Sequence, residues 1–303
     1  MASSIPASAA EAPVRARSAG AAGAREVRRL LASLARTKTG AIGLTLGGLV
    51  AMGALLAPVL APADPLAMSP RRLGLPSAAA WLGTDQFGRD LLSRLLFGAR
   101  SSLIVSLSAV TLAAGIGGTV GFVAGYFEGR LDHLLMRAVD VLMAFPTLLL
   151  ALAVVATLGA SVPNLIAAIT LAYIPIFSRI VRGSVLSAKQ NDFVQASRAL
   201  GARDARIMAR EILPNVLAPV VVQATFNLST AIMIEAALSF LGLGVQPPTP
   251  SWGTMLSEAR TFMELDPWLA VAPGTAITIA VLGFNLFGDG LRDALDPRLR
   301  GMG

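Results

Sequence analysis

The sequence predicts an all-α membrane protein with six transmembrane helices, and three observations support this fold class. The chain has 303 residues, of which 54% are hydrophobic and 14% are charged, whereas soluble chains carry roughly 25% charged residues. Long apolar runs recur along the chain, and each can cross a bilayer as a helix. The arginines and lysines fall between these runs. Such a composition cannot cover a globule with polar surface, so we expect a multi-pass membrane protein.

The apolar runs divide the chain into an ordered series of segments. Residues 1–39 are expected to form a disordered and then basic cytoplasmic segment, with a mitochondrial-type presequence as the alternative. Residues 40–101 hold the first span and an extracytoplasmic loop, 102–290 hold a core of five spans, and 291–303 form a cytoplasmic tail. The predicted spans are 40–61, 102–126, 141–159, 164–182, 215–241 and 269–288.

The third span is predicted to follow a short polar loop. Asp132, Arg137 and Asp140 are expected in that loop, and Phe145 and Pro146 open the span, because a proline is tolerated in the first helical turn.

The positive charges predict the topology of these spans. With the N-terminus inside, the inner segments hold 19 Lys and Arg residues and the outer segments hold 6. Basic residues are enriched in cytoplasmic loops. Both termini and the loop before the fifth span are therefore expected in the cytoplasm. Because the charge follows the topology, the net charge of +7 does not indicate nucleic-acid binding.

The most informative stretch is a polar island at about 190–214. Small and apolar residues precede and follow Gly201, which predicts a helix, a tight turn and a second helix, with Pro214 opening the next element. So much charge cannot lie in lipid. The hairpin must lie at or beyond the membrane surface, either as an ordinary amphipathic hairpin or as a docking element for another protein.

This stretch resembles the EAA loop of bacterial ABC-importer permeases. The matching positions are Ala196-Ser197, Gly201, Ile207 and Leu213-Pro214, and Gln195 stands where the family usually has a glutamate. The resemblance implies a coupling helix that docks in a groove of a cytoplasmic ATPase. The coupling residues it implies are Gln195, Ala196, Ser197, Leu200, Gly201, Ala202, Arg203, Ile207, Leu213 and Pro214.

Further matches cover most of the chain. Residues 81–103, 235–253 and 288–298 resemble, in the right order, the signatures of the dipeptide/oligopeptide/nickel permease subfamily. The resemblance implies the type I ABC importer permease fold and a "C"-type permease subunit of the bacterial inner membrane, whose first span packs on a partner. It further implies a heterodimer with a second permease, two cytoplasmic ABC ATPase subunits and an extracytoplasmic solute-binding protein. Di- or oligopeptides, or a related small solute, would then cross by alternating access.

Chemistry within this chain itself is not indicated. The sequence contains no phosphate-binding Gly-x-x-x-x-Gly-Lys-Ser/Thr pattern, so no cofactor is expected on this chain and ATP would be used by the partner subunits. The chain has one histidine and no cysteine, which excludes thiolate metal sites and argues against a catalytic triad. We therefore do not expect an enzyme, and a passive channel or membrane scaffold is the alternative function.

Polar residues inside the predicted spans are candidates for the translocation path. They are Gln223, Asn227, Glu235 and Asn285. Glu235 is expected near the outer end of the fifth span, facing a cavity or a partner helix, because a carboxyl group cannot face lipid. The alternative for each residue is a structural hydrogen bond between helices.

Overall fold

The computed structural model describes residues 34, 35 and 37–295, which form helices joined by loops. Most of the predicted segments 1–39 and 291–303 lies outside the described residues. The helices, numbered in chain order, are α1 (Lys38–Leu55), α2 (Ala57–Leu60), α3 (Leu91–Phe127), α4 (Gly129–Met143), α5 (Thr147–Leu158), α6 (Val162–Lys189), α7 (Asp192–Ala199), α8 (Asp204–Phe240), α9 (Trp252–Ala259) and α10 (Trp268–Leu295).

Within the described ranges, five helices are long and apolar enough to cross a membrane alone. They are α1, α3, α6, α8 and α10, and α4 with α5 would make a sixth span that is bent by 86°. The all-helical fold class is therefore confirmed.

The bend between α4 and α5 differs from the expectation for this region. The prediction that Asp132, Arg137 and Asp140 lie in a loop was wrong, because these residues lie on α4. The chain breaks instead just before Thr147, where Pro146 lacks an amide donor and disfavours a helical conformation at Phe145.

Close helix packing depends on glycines at two contacts. On α3, a Cβ atom at Gly117 would lie 2.5 Å from the carbonyl oxygen of Ile174 in α6. On α1, a Cβ atom at Gly43 would collide with the backbone of Phe287 in α10. Small residues let helix backbones approach in this way. The first span thus packs on α10 of its own chain, and its opposite face, which includes Leu49, is exposed.

The fifth span begins earlier than predicted. Pro214 lies in the first turn of the regular α-helical part of α8, Leu213–Phe240, as predicted, but α8 already starts at Asp204 and reaches this part through a π-helical turn at Ile207–Ile212. A proline ring clashes with the carbonyl group four residues before it in a regular α-helix. The wider π turn changes the hydrogen-bond register just before Pro214, which allows the helix to continue.

Two loops form a cap over one end of the bundle, and buried ion pairs hold it. The loop cap comprises residues 62–90 and 241–268. Arg89 and Arg94 both contact Asp85, and both also reach Glu258 at 2.9 Å from the other loop. Asp90 caps α3 by accepting the Ser93 amide at 2.8 Å. The loop cap is therefore fastened to α3.

We predict that Gly43→Leu destabilises the protein because the larger side chain separates α1 from α10. Overpacking of this kind costs about 1–3 kcal/mol. Gly48→Leu is the matched control, because a Cβ atom there meets nothing within 4 Å. Thermal unfolding in detergent, followed by tryptophan fluorescence, should show a lower Tm for the first variant only. Equal Tm values for both variants would contradict this packing.

We also predict that Arg94→Met destabilises the loop cap. The Arg94 side chain is 1% exposed and pairs with both Asp85 and Glu258. Its loss leaves Arg89 as the remaining arginine for both carboxylates, and breaking buried ion pairs in this way costs about 3 kcal/mol. Arg100→Met on the same helix should have little effect, because Arg100 is exposed. Limited proteolysis within residues 62–90 would report the difference, and equal protection of both variants would refute it.

Candidate coupling surface and polar sites in the spans

The hairpin between α6 and α8 is built around a glycine turn. Helix α7 ends where Gly201 adopts a φ of +77°. The Gly201 amide donates to the Arg198 carbonyl at 3.0 Å, and the Ala202 amide donates to the Ser197 carbonyl at 3.1 Å. This pair of bonds is the Schellman motif that ends a helix with a left-handed residue. The predicted helix, turn and helix are thus present, and the turn has a local physical cause.

An apolar cluster fixes the base of the hairpin to the bundle. Val194, Ile207 and Ile212 are fully buried. They pack on a cluster that also contains Tyr126, Val181, Val185, Ala188 and Val216. Because the cluster includes residues of α3, α6 and α8, the hairpin cannot move without these helices.

Hydrogen bonds add to this attachment on both arms of the hairpin. The Tyr126 hydroxyl donates to Asp204 at 2.5 Å, and Ser197 donates to Glu211 at 2.8 Å across the turn. The Gln195 amide group donates to the Lys189 carbonyl at 3.2 Å. The hairpin is thus tied both to α3 and to the end of α6.

The outer face of the hairpin is exposed and partly apolar. Leu200 at its tip is 88% exposed, and Phe193 on α7 is 43% exposed. Ala196, Arg198 and Arg203 beside them are also exposed. Apolar side chains on a polar, charged segment outside the apolar spans mark a protein-interaction site. The arrangement therefore fits a docking surface with an apolar tip between arginines.

The ten implied coupling residues occupy different positions in this hairpin. Ser197 and Ala202 are half-buried in it, and Ile207 is fully buried beneath it, so Ile207 supports the surface and does not belong to it. The exposed members are Gln195, Ala196, Leu200, Gly201, Arg203, Leu213 and Pro214. Sequence reasoning missed Phe193, although it precedes the small-residue pair by three positions and shares its helix face.

The predicted path residues take part in three separate hydrogen bonds. Gln223 donates to Asn227 at 2.8 Å on α8, and Asn285 on α10 accepts from Ser229 at 2.7 Å. Glu235 is fully buried and accepts from the Ser239 hydroxyl at 2.7 Å. The path assignment of all four remains a prediction.

Comparison of the sequence with known proteins identifies the family of this chain. Residues 117–301 match the family described as the binding-protein-dependent transport system inner membrane component. The chain belongs to this family and is a membrane permease subunit of an ABC importer. Permeases of this family act with ATPase and binding-protein partners.

Individual relatives are similar over most of their length. The dipeptide transport system permease protein DppC of Alkalihalophilus pseudofirmus is 46% identical over 274 residues, which is 90% of each chain. The di/tripeptide transport system permease protein DppC of Pseudomonas aeruginosa is 46% identical over 275 residues, covering 88% of this chain and 91% of the relative. The glutathione transport system permease protein GsiD of Escherichia coli O157:H7 is 51% identical over 226 residues, which is 75% of each chain.

We predict that Gly201→Val weakens the hairpin turn whereas Gly201→Asn largely preserves it. A Cβ atom at Gly201 meets nothing within 4 Å, so the effect comes from φ and not from crowding. A left-handed conformation costs an L-residue roughly 1–2 kcal/mol, and asparagine tolerates it best. Hydrogen exchange of the residue 201 and Ala202 amides should accelerate about tenfold in the valine variant. Equal exchange in both variants would contradict this explanation.

Proposed function

We propose that this chain transmits ATP-driven movement of partner ATPases to a peptide pathway in the membrane, by alternating access. The functional unit is a heterodimer with a second permease, joined by two cytoplasmic ABC ATPases and an extracytoplasmic solute-binding protein. This chain is not an enzyme in the proposed unit, and ATP is bound and hydrolysed by the ATPase subunits.

The observation that carries this proposal is the rigid hairpin with an exposed apolar tip. Leu200 is the most exposed of the large hydrophobic residues in the described part of the chain. Its exposure is costly unless a protein covers it, because roughly 1.5–3 kcal/mol is gained by burying such a side chain. A groove in an ATPase subunit fits this tip and its flanking arginines.

The same hairpin can act as a lever on the spans. Helix α8 includes 37 residues from Asp204 to Phe240, which at about 1.5 Å per residue corresponds to a rod of about 55 Å. The hairpin core is continuous with this rod and packs on α6 through Val181 and Val185. A displacement at Leu200 is therefore passed to two spans together, as a rigid-body switch requires.

Charge supports the proposed orientation of the chain. The hairpin carries Arg198, Arg203, Arg206 and Arg210, and basic loops are retained in the cytoplasm. We therefore propose that both termini and the hairpin lie on the cytoplasmic side of the inner membrane. The loop cap then faces the binding protein.

The relatives support a peptide as the transported solute. Three of them are described as dipeptide, di/tripeptide and glutathione permeases. Their common chemistry is a short peptide with free charged groups. We propose di- or oligopeptides, or a closely related small solute, as the cargo.

We predict that Leu200→Ser weakens ATPase association by roughly 10- to 100-fold, because the variant loses the burial energy of one leucine. Leu265→Ser is the matched control, since Leu265 is 75% exposed in the loop cap and far along the chain from the hairpin. The tagged chain would be purified in mild detergent, and the co-purifying subunits would be quantified by mass spectrometry.

The expected complex contains a second permease and two ATPase subunits with the control variant, and few ATPase subunits with Leu200→Ser. Equal recovery of ATPase with both variants would refute docking at the tip. Recovery of the chain alone in every sample would favour the channel or scaffold alternative.

A further inference from the structure

A charged cleft lies between α4 and α6, and none of the predicted path residues lines it. It has a volume of about 550 Å³, within the range of roughly 300–1,000 Å³ for small-molecule sites. His133, Met136, Arg137 and Asp140 line it from α4, and Arg179 and Arg182 line it from α6. The cleft thus offers groups of both signs in one place.

The two ion pairs of the cleft differ in their exposure. Arg182 binds Asp132 through two nitrogens, each at 2.6 Å, and the Asp132 side chain is only 10% exposed. Arg179 binds Asp140 through one contact of 2.7 Å, and both side chains are about half exposed. The first pair holds α4 to α6. The second pair is weak because water competes for it, so another ion can replace either partner.

This cleft cannot face lipid. Arg179 and Arg182 lie within α6, which is a candidate membrane span, and charged groups in a span face a water-filled cavity or a polar partner. Arg137 points into the same cleft and has no acidic side chain within ion-pair distance among the residues described. A free cation in a wetted cleft is available to an anionic group of a ligand.

We infer that this cleft binds the charged termini of a peptide during its passage, with Asp140 receiving the ammonium group and Arg179 and Arg137 receiving the carboxylate. The inference rests on the proposed function, because it requires a peptide cargo. When the peptide arrives, its two termini replace the partners of the exposed Asp140–Arg179 pair, so no charge is left unpaired.

The dimensions of the site agree with a short peptide. Arg137 and Asp140 are three residues apart on α4, which puts their Cβ atoms roughly 5–6 Å apart. Two extended peptide residues span at most about 7 Å. Recognition of the termini also leaves the peptide side chains free, which suits a carrier of many sequences.

The first experiment detects occupancy directly. The complete importer, with its ATPases and binding protein, is reconstituted in liposomes with a photo-crosslinking amino acid at Met136 in the cleft. Tritiated alanyl-alanine and ATP are added, and the label on this chain is measured. The same amino acid at Leu134, which is exposed on α4 and does not line the cleft, is the control. We expect labelling at position 136 and little at position 134.

The second experiment tests the charges. Asp140→Asn and Arg179→Gln should each raise the KM for alanyl-alanine uptake about tenfold and reduce crosslinking at position 136. Arg130→Gln is the control, because Arg130 is an exposed residue of α4 outside the cleft. Recovery of the ATPase subunits should be unchanged in all three variants, which separates a binding defect from a folding defect.

These outcomes separate failure of the proposed peptide site from failure of the proposed transport function. Normal uptake without crosslinking at position 136, or with an unchanged KM in both cleft variants, overturns the inference and leaves the proposed function intact. Crosslinking to lipid instead of peptide overturns it as well. If the wild-type complex accumulates no peptide, the proposed cargo is wrong and the inference fails with it.

Discussion

The structure depends on one constraint, namely that charged groups in a membrane protein must be kept from lipid. Only 14% of the residues are charged, and many of those described gather in three places. The loop cap buries Asp85, Arg89 and Arg94 with Glu258, the cleft between α4 and α6 pairs two arginines with two aspartates, and the hairpin presents its arginines beyond the spans. Each of these places is a site where the chain must meet water or another protein.

Elements governed by local chemistry could be predicted from the sequence, and those governed by packing could not. The turn at Gly201 was predictable because a glycine between two helix-forming stretches favours a left-handed residue. The position of Pro214 in the first turn of the regular α-helical part was predictable for an equally local reason. Nothing nearby in the sequence signals the π turn that joins this part to Asp204. Asp132 and Asp140 suggested a loop because their partners, Arg182 and Arg179, lie far along the chain.

The predicted sites show the same division. The hairpin surface could be located from its motif, but the motif does not say which positions face outwards. Ile207 matched the pattern and lies at the base of the hairpin, whereas Phe193 lies outside the pattern and is exposed. Glu235 was predicted to face a cavity or a partner helix because a carboxyl group in a span cannot face lipid. Its hydroxyl partner Ser239 is only four residues away, yet the surrounding helices that exclude water from it could not be inferred from spacing.

The relation between the hairpin and the cleft follows from the helices that they share. Helix α6 carries Arg179 and Arg182 on one side and ends in the apolar cluster that supports the hairpin. The distance from Arg182 to the last residue of α6 is seven residues, or about 10 Å of helix. A force on the hairpin therefore reaches the cleft through a short and rigid path. Because α4 is held to α6 by the part-buried Asp132–Arg182 pair and separated from α5 by a sharp bend, movement of α6 would carry α4 with it.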